Sequence, residues 1–366
     1  MRLCYIANPN SPHTRRWVNW FAEQGHQISL IADNRLAHPW QGITLVDVPT
    51  RFNLSVARYL IWAIWTRDFI HRWQPDILHA HRVSSAGWLG AFSGFHPFVV
   101  TPWGSDLYLH PQRSRLAGLL ARLVLERADL VTADSSDLCQ TAIRMGARSQ
   151  AVHLIQWGVD LKRFYPGNAP QSLRDELRVG TAQVIFSPRG LSPIYNNESI
   201  LRAYQLVRKS LPHTILLLRD FNTDERYRRH ISQLIEQLEL GGAVRWLGRV
   251  EPWERLADYY RLATVVVSVP LSDSTSVSLL EAMACGIPIV ASDLPSTREW
   301  IQSGENGFLV PPCDFERLAE SLVELLRDSS RRAQYAAASL AQVRARANQA
   351  VEMGKMLQLY ETLLKS

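Results

Sequence analysis

Several absences narrow what this 366-residue chain can do. It has no G-x-G-x-x-G, no P-loop, no H-E-x-x-H and no G-x-S-x-G. That removes the common fingerprints of oxidoreductases, kinases, metalloproteases and serine hydrolases. Its four cysteines (Cys4, Cys139, Cys285, Cys313) show no paired spacing and mostly lie in apolar runs. That usage fits a reducing compartment and argues against a zinc knuckle. No apolar run approaches the roughly 18 residues of a membrane span. The opening MRLCYIANPNS turns polar after a strand-length run, so no signal peptide is expected. There is no internal repeat and no low-complexity tract. Lysine is missing from residues 1–150, where 15 arginines face 10 acids. About five of the six net positive charges therefore sit in the N-terminal half.

What is present describes an enzyme-sized globular chain. Apolar residues make up 46% and charged residues 20%, and the length exceeds what one core usually supports, so two domains are expected. Short apolar runs alternate with helical periods. Leu3–Ala7, Ile28–Ala32, Ile43–Val48, Phe98–Thr101 and Leu130–Ala133 read as strands, as do Gln183–Ser187, Thr214–Leu218 and Val244–Leu247. Ser11 with Pro12 marks a helix start, and Ser55–Trp73 reads as a long helix. Its apolar residues (Leu60, Ile61, Trp62, Ile64, Trp65, Phe69, Ile70) run nearly all the way round, which predicts burial over a membrane-surface role. Arg113–Arg127 reads as basic and amphipathic, with Leu116, Leu119, Leu120, Leu123 and Val124 on its apolar side. Further helices are expected over Ser296–Ser303, Asp314–Arg327 and about Asn348–Leu364. Pro166–Pro170, with Gly167 and Asn168, is the natural linker.

The most informative stretch is TVVVSVPLSDSTSVSLLEAMACGIPIVASD at 264–293. It reads as strand, hydroxyl-rich loop, helix and second strand, the unit of a parallel sheet. Asp273 in the loop and Glu281 on the helix bracket it. The loop-to-helix junction offers unpaired backbone N–H groups suited to a phosphate.

This stretch resembles the signature of the retaining GT-B glycosyltransferases of family 4 (glycosyl transferases group 1). Their motif runs from an acid through a Gly-rich loop into LLEAMACG-P-V-A. The resemblance implies an α/β GT-B fold of two Rossmann-like, doubly wound domains facing across a cleft. Residues 1–165 would bind the acceptor, 166–345 the nucleotide sugar, and 346–366 would form a helix packing back on the first domain. Other segments fit: the D-hydrophobic-H-A-H run at Asp76–His81, Thr101–Asp106, Trp157–Phe164, and Glu305–Val310.

The resemblance also assigns roles and exposes departures. Arg189, Asp273 and Glu281 fall on the catalytic positions, with Arg189 neutralising the diphosphate through its bidentate fork. Ser274, Thr275, Ser276 and Val277 occupy the donor loop, where Gly-Phe-Gly is usual, and Arg249 lies in a segment that frames the base. The family's Lys, five residues after the Arg, is Ile194 here, and Arg219 is read as supplying the lost charge. His13, His81, Trp103 and Asp106 fall around the acceptor and cleft. Ser11–His13–Thr14 replace a Gly-Gly loop, Trp103 replaces a His, and Trp157 stands first in the N-G-V-D segment. A Trp can stack on a sugar but cannot transfer a proton.

The activity implied is retaining transfer of a hexose-type sugar from a UDP- or GDP-sugar to a glycan or lipid-linked acceptor, in cell-envelope polysaccharide or glycolipid synthesis. No D-x-D triplet occurs, so no metal is expected and no cofactor beyond the donor. Two alternatives are a donor-binding protein without turnover and a nucleotide-sugar epimerase. The expected location is cytoplasmic, either free or peripheral on the inner face of the membrane. The arginine-rich, Trp-rich N-terminal half reads equally as a contact for an anionic membrane or acceptor and as a solvated face over a Trp-rich core. Scattered arginines without a recognised module argue against nucleic acid.

Overall fold

The computed structural model describes residues 1–32, 40, 42–48, 55–221, 223–250 and 255–365, with backbone alone at 55–58. The chain forms two compact units, Met1–Trp157 with Val351–Ser366, and Gly158–Ala350. The division at Trp157 lies upstream of Pro166–Pro170. Within the second unit, the Val159 N–H donates to the Ala347 carbonyl and the Gln349 N–H to Val159, which ties residues 158–165 to 346–350.

The first unit is a seven-stranded parallel sheet. Its strands are β1 (Arg2–Ile6), β2 (Gln27–Ala32), β3 (Ile43–Asp47), β4 (Ile77–His81), β5 (Phe98–Thr101), β6 (Leu130–Ala133) and β7 (Val152–Leu154). Their order is β3-β2-β1-β4-β5-β6-β7. The second unit has β8 (Gln183–Ser187), β9 (Thr214–Arg219), β10 (Val244–Leu247), β11 (Val265–Ser268), β12 (Ile289–Ser292) and β13 (Phe308–Val310), ordered β10-β9-β8-β11-β12-β13. Both orders reverse direction once, between β1 and β4 and between β8 and β11. Ligands of such sheets bind beyond the carboxyl ends of the strands at that reversal. Candidate chemistry is therefore sought after β1, β4, β8 and β11.

Side chains alternate faces along a strand, and this sorts β4. Leu78 and Ala80 enter a core with Cys4, Ile6, Val100 and Val131. His79 and His81 are thereby sent to the opposite face, where Tyr5 is the register partner of His79.

Helix ends follow their caps. Ser11 accepts from the His13 N–H at the helix Pro12–Glu23, and Asp314 accepts from the Arg317 N–H at Phe315–Arg327. Each cap is worth about 1 kcal/mol. Gly286 follows the helix Val277–Ala284 at φ +70°, a conformation side chains with a Cβ adopt only under strain.

Three sequence expectations about helices are corrected. The segment expected as a helix over Ser296–Ser303 is helical only at Pro295–Arg298. There Asn306 takes over the backbone, accepting from the Gln302 N–H and donating to the Trp300 carbonyl. The helix Ser55–Trp73 is not buried all round: Trp62 and Ile70 are inside, but Leu60 is 64% and Ile64 71% exposed. On the helix Arg115–Arg127 the buried stripe is Ala117, Ala121, Val124 and Leu125. Leu116 and Leu119, expected on the helix's apolar side, are each 65% exposed.

Candidate active site

In the second unit, β8 ends in the turn Pro188–Arg189–Gly190. A Cβ on Gly190 would lie 2.6 Å from the Phe221 carbonyl oxygen, so only glycine lets this turn approach the end of β9. Arg189 stacks on the Tyr195 ring, 4.3 Å from its centroid. Its guanidinium lies 3.0 Å from Asp273 and donates to the Ser276 hydroxyl at 2.8 Å. Ser276 precedes the helix Val277–Ala284 and makes no side-chain cap of its own. Burial works most strongly against the Arg189 charge, but Asp273, Tyr195 and Tyr260 together outweigh it and hold the guanidinium protonated. Burial also pushes the Asp273 carboxyl upward, against the pull of Arg189.

Glu281 is one turn further along that helix and almost fully buried. The Tyr260 hydroxyl donates to it at 2.9 Å. Arg219, at the end of β9, is also buried, its Nε without a hydrogen-bond partner among the described residues. Burial lowers its pKa, Tyr260 and Glu281 oppose that, and Arg189 adds to the lowering. Arg219 and Arg249 lie against the Phe221 ring, 5.3 and 5.8 Å from its centroid. The second unit therefore gathers Arg189, Arg219, Arg249, Asp273 and Glu281 at the carboxyl ends of β8–β11.

The first unit gathers a different set. Beyond β1 and β4, His81 meets Trp17 and Trp157 edge-on at 5.4 and 5.7 Å and lies 5.9 Å from Trp103. Trp103 and Trp157 meet edge-on at 5.5 Å, and His13 touches both at 5.8 and 5.4 Å. Burial, with His13 nearby, pulls the His81 pKa down to about 3. His79, behind it, hydrogen-bonds with the Tyr360 hydroxyl and with Thr101. Asp106 is engaged by backbone: its two oxygens accept from the Val83 and Trp103 N–H groups at 2.6 and 2.8 Å. It shapes the loops after β4 and β5.

The fold matches known enzymes over its whole length. A structure from Anabaena with UDP and glucose aligns with a TM-score of 0.85, 19% identity and 99% of this chain against all of that one. A sucrose-phosphate synthase from Thermosynechococcus elongatus aligns at 0.86 and 20%, over 100% and 99%. Residues 170–341 match the family described as glycosyl transferases group 1, and residues 2–135 match one described as glycosyl transferase 4-like. The chain is a GT-B glycosyltransferase.

Its relatives include a phosphatidyl-myo-inositol mannosyltransferase of Mycobacterium leprae, 29% identical over 87% of this chain and 83% of that one. A D-inositol 3-phosphate glycosyltransferase of Rhodococcus erythropolis is 27% identical over 83% and 71%.

The glycosyltransferase brings most of its sequence-assigned residues into two groups, with His13, His81 and Trp103 in one and Arg189, Arg219, Asp273, Ser276 and Glu281 in the other. Several assignments need refinement. Thr275 is buried and its hydroxyl accepts from the Trp300 indole at 3.2 Å, so it braces the loop. Ser274 is buried as well, and Val277 is the first helical residue. Arg249 is exposed at the rim. Ile194 brings no charge, and its carbonyl accepts from the Leu271 N–H at 2.8 Å. The sequence does not single out Tyr195, Phe221 or Tyr260; Tyr195 and Phe221 lie six and two residues from the arginines they touch, and Tyr260 reaches Glu281 across 21 residues. Among the described residues, no group of three or more His, Cys, Asp or Glu side chains could hold a metal.

Proposed function

We propose that the enzyme transfers a hexose from a UDP- or GDP-sugar to a glycan or lipid-linked acceptor, with retention at the anomeric carbon and without a metal. The observation that carries this reading is Arg189, braced by Asp273 and Tyr195 and hydrogen-bonded to Ser276 at a helix start. A departing diphosphate gains negative charge as the sugar gains oxocarbenium character. Arg189, the N–H groups around Ser276 and Arg219 are placed to stabilise that charge electrostatically. Glu281, backed by Tyr260, would accept hydrogen bonds from the ribose hydroxyls. Asp273 would exchange Arg189 for sugar hydroxyls once the diphosphate takes the guanidinium. The UDP and glucose held by the Anabaena structure and the mannosyl transfer named for a relative support the donor class.

The acceptor side of the proposal extends to an anionic membrane, with the chain cytoplasmic and serving cell-envelope polysaccharide or glycolipid synthesis. No helix among the described residues is long and apolar enough to cross a bilayer. The helices Ser55–Trp73 and Arg115–Arg127 both pack on Ser85–Ser93 and expose Leu60, Ile64, Leu116 and Leu119. Arg113 and Arg115 are exposed beside the leucines. Exposed leucines bracketed by arginines suit the headgroup boundary of an anionic bilayer.

The deciding experiment incubates the chain with labelled UDP- and GDP-hexoses and a panel of glycan and lipid-linked acceptors. The anomeric configuration of any product is then read by NMR. An α-linked product from an α-linked donor is expected. Inversion would overturn the mechanism, and donor binding without product across the panel would favour a binding protein.

A further inference from the structure

The second unit carries a solvent-open cavity of about 440 Å³ apart from its candidate active site. One wall is formed by residues 160–165, the other by the short helix Leu256–Leu262 with Arg255 before it. Arg261 joins the two walls. Its guanidinium donates to the Arg163 and Tyr165 carbonyls at 2.8 and 3.1 Å and to Asp258 at 2.8 Å, and it covers the Tyr165 ring at 4.1 Å. Next to this wall, Pro166 lies against Gly286, where a Cβ would meet its ring at 3.4 Å. Gly286 follows the far end of the eight-residue helix that Ser276 precedes, a length of about 12 Å. The walls carry Lys162, Arg163, Arg255 and Arg261 against Asp160 and Asp258, four positive charges against two negative. Asp258 is taken by Arg261, whereas Asp160 reaches Arg163 only at 3.9 Å. Arg255 pairs with Glu176 at 2.8 Å, but both are about half-exposed, and such pairs give way at little cost. The Lys162 side chain is exposed and has no ion-pair partner among the described residues.

We propose that this cavity is a second ligand site, for a dianionic phosphate either free or esterified to a small polyol, and that Tyr260 couples it to the donor site. The excess of two positive charges matches the charge of a phosphate monoester near neutral pH. Lysine and arginine side chains bind its oxygens through charge-assisted hydrogen bonds. The half-exposed Tyr165 ring offers an apolar face to a polyol beside the phosphate, and the volume is that of a small-molecule site. The physical path to the donor site is short. Phe164 lies between the two residues whose carbonyls Arg261 holds, and it meets the Tyr260 ring edge-on at 5.9 Å. Tyr260 precedes Arg261 on the helix and donates to Glu281 at 2.9 Å. A phosphate that competes for Arg261 therefore disturbs both supports of the tyrosine that holds Glu281. The coupling rests on the donor reading of Glu281, whereas the binding does not.

The test is calorimetric titration of the full-length protein with glucose 6-phosphate, inorganic phosphate and glucose, without nucleotide and at constant ionic strength. Binding of the two phosphates and not of glucose is expected. Tighter binding of the ester assigns the site to a phosphorylated polyol, and equal binding assigns it to free phosphate. Lys162→Glu should weaken both roughly tenfold, while Arg189→Ala leaves them unchanged. UDP and GDP are then titrated with and without the tighter phosphate ligand at saturation. The affinity of the nucleotide that binds should change roughly fivefold, and Tyr260→Phe should remove the change while retaining phosphate binding. Hydrogen exchange of residues 277–284 on adding the phosphate reads the same coupling without a nucleotide, so the donor reading can fail alone. No heat from either phosphate, binding unaltered in Lys162→Glu, or binding lost in Arg189→Ala would overturn the site. Unchanged nucleotide affinity together with unchanged exchange would overturn the coupling.

Discussion

The two units answer the same topological problem with opposite chemistry. Each places its candidate residues beyond the strand ends where the sheet order reverses. The second unit fills that place with charge: Arg189, Arg219 and Arg249 around Asp273 and Glu281. The first fills it with aromatic rings and two histidines that burial keeps neutral. Under the proposed function, the contrast follows from what each unit would hold. A diphosphate is recognised by fixed cations and N–H dipoles, whereas a sugar ring is recognised by flat apolar faces and neutral hydrogen-bonding groups. Departures from the family pattern respect this division. The cation missing at Ile194 has a buried arginine close by, and the polar residues missing at positions 103 and 157 are both replaced by indoles.

The largest expected effect is on the charged side. Arg189→Ala should lower turnover about 10²- to 10³-fold, the cost of removing one preorganised donor from a developing anion. Steady-state rates on any accepted donor would show it, and a rate near that of the parent would remove Arg189 from the mechanism. Glu281→Ala should weaken binding of the nucleoside diphosphate about 10- to 100-fold by calorimetry, the range for hydrogen bonds to a carboxylate. Unchanged binding would put the ribose elsewhere.

The uncharged side makes a prediction about acid. An unfolded histidine titrates near 6.5, while His81 stays neutral down to about 3 and His79 is shifted the same way. As the pH falls below 6.5 the unfolded chain binds protons that the folded chain refuses, so stability is lost on acidification. For His81 the loss at pH 5 is about 2 kcal/mol. Thermal melts at pH 7 and 5 should show it, with a smaller drop in His81→Gln. An equal drop in that variant would assign the acid sensitivity to other groups.

Arg219→Ala should cost roughly tenfold in turnover, less than Arg189→Ala because its charge acts from behind. Full activity in Arg219→Ala beside an inactive Arg189→Ala would show that the missing cation is not replaced there. The smallest effect concerns the exposed leucines. Leu116→Asp with Leu119→Asp should reduce sedimentation with vesicles containing phosphatidylglycerol by a few-fold, with turnover on a soluble acceptor unchanged. Equal sedimentation would exclude this face as the membrane contact.

Much of this was legible in the sequence, and the reasons for success and failure are physical. Strands buried on both faces read as continuous apolar runs, so Phe98–Thr101 and Leu130–Ala133 have the bounds expected of them, as do Gln183–Ser187 and the part-exposed edge strand Val244–Leu247. Asp273 and Glu281 stand out because strand, loop and helix signals bracket them locally, whereas Arg189 is assigned through the family resemblance. Asp106 reads as an acceptor contact from its segment, and the structure adds backbone partners, Trp103 three residues before it and Val83 in a loop more than twenty residues away. Leu116 and Leu119 read as part of the helix's apolar side because leucine outranks alanine in apolarity. The close approach of Arg115–Arg127 to Ser85–Ser93 instead selects the small Ala117 and Ala121 for the interface. Tyr260 and Trp157 gained roles only when distant segments folded against them.

The central claim is that the second unit holds a sugar nucleotide through Arg189 and Glu281. It is tested most directly by thermal shift with UDP-, GDP- and ADP-sugars and their diphosphates, without and then with added divalent metal. A ligand that binds only the folded state raises the melting temperature by mass action. A rise is expected with one base, the same with and without metal, and lost in Glu281→Ala and Arg189→Ala. No rise with any of these ligands, or a rise that both variants keep, would contradict it.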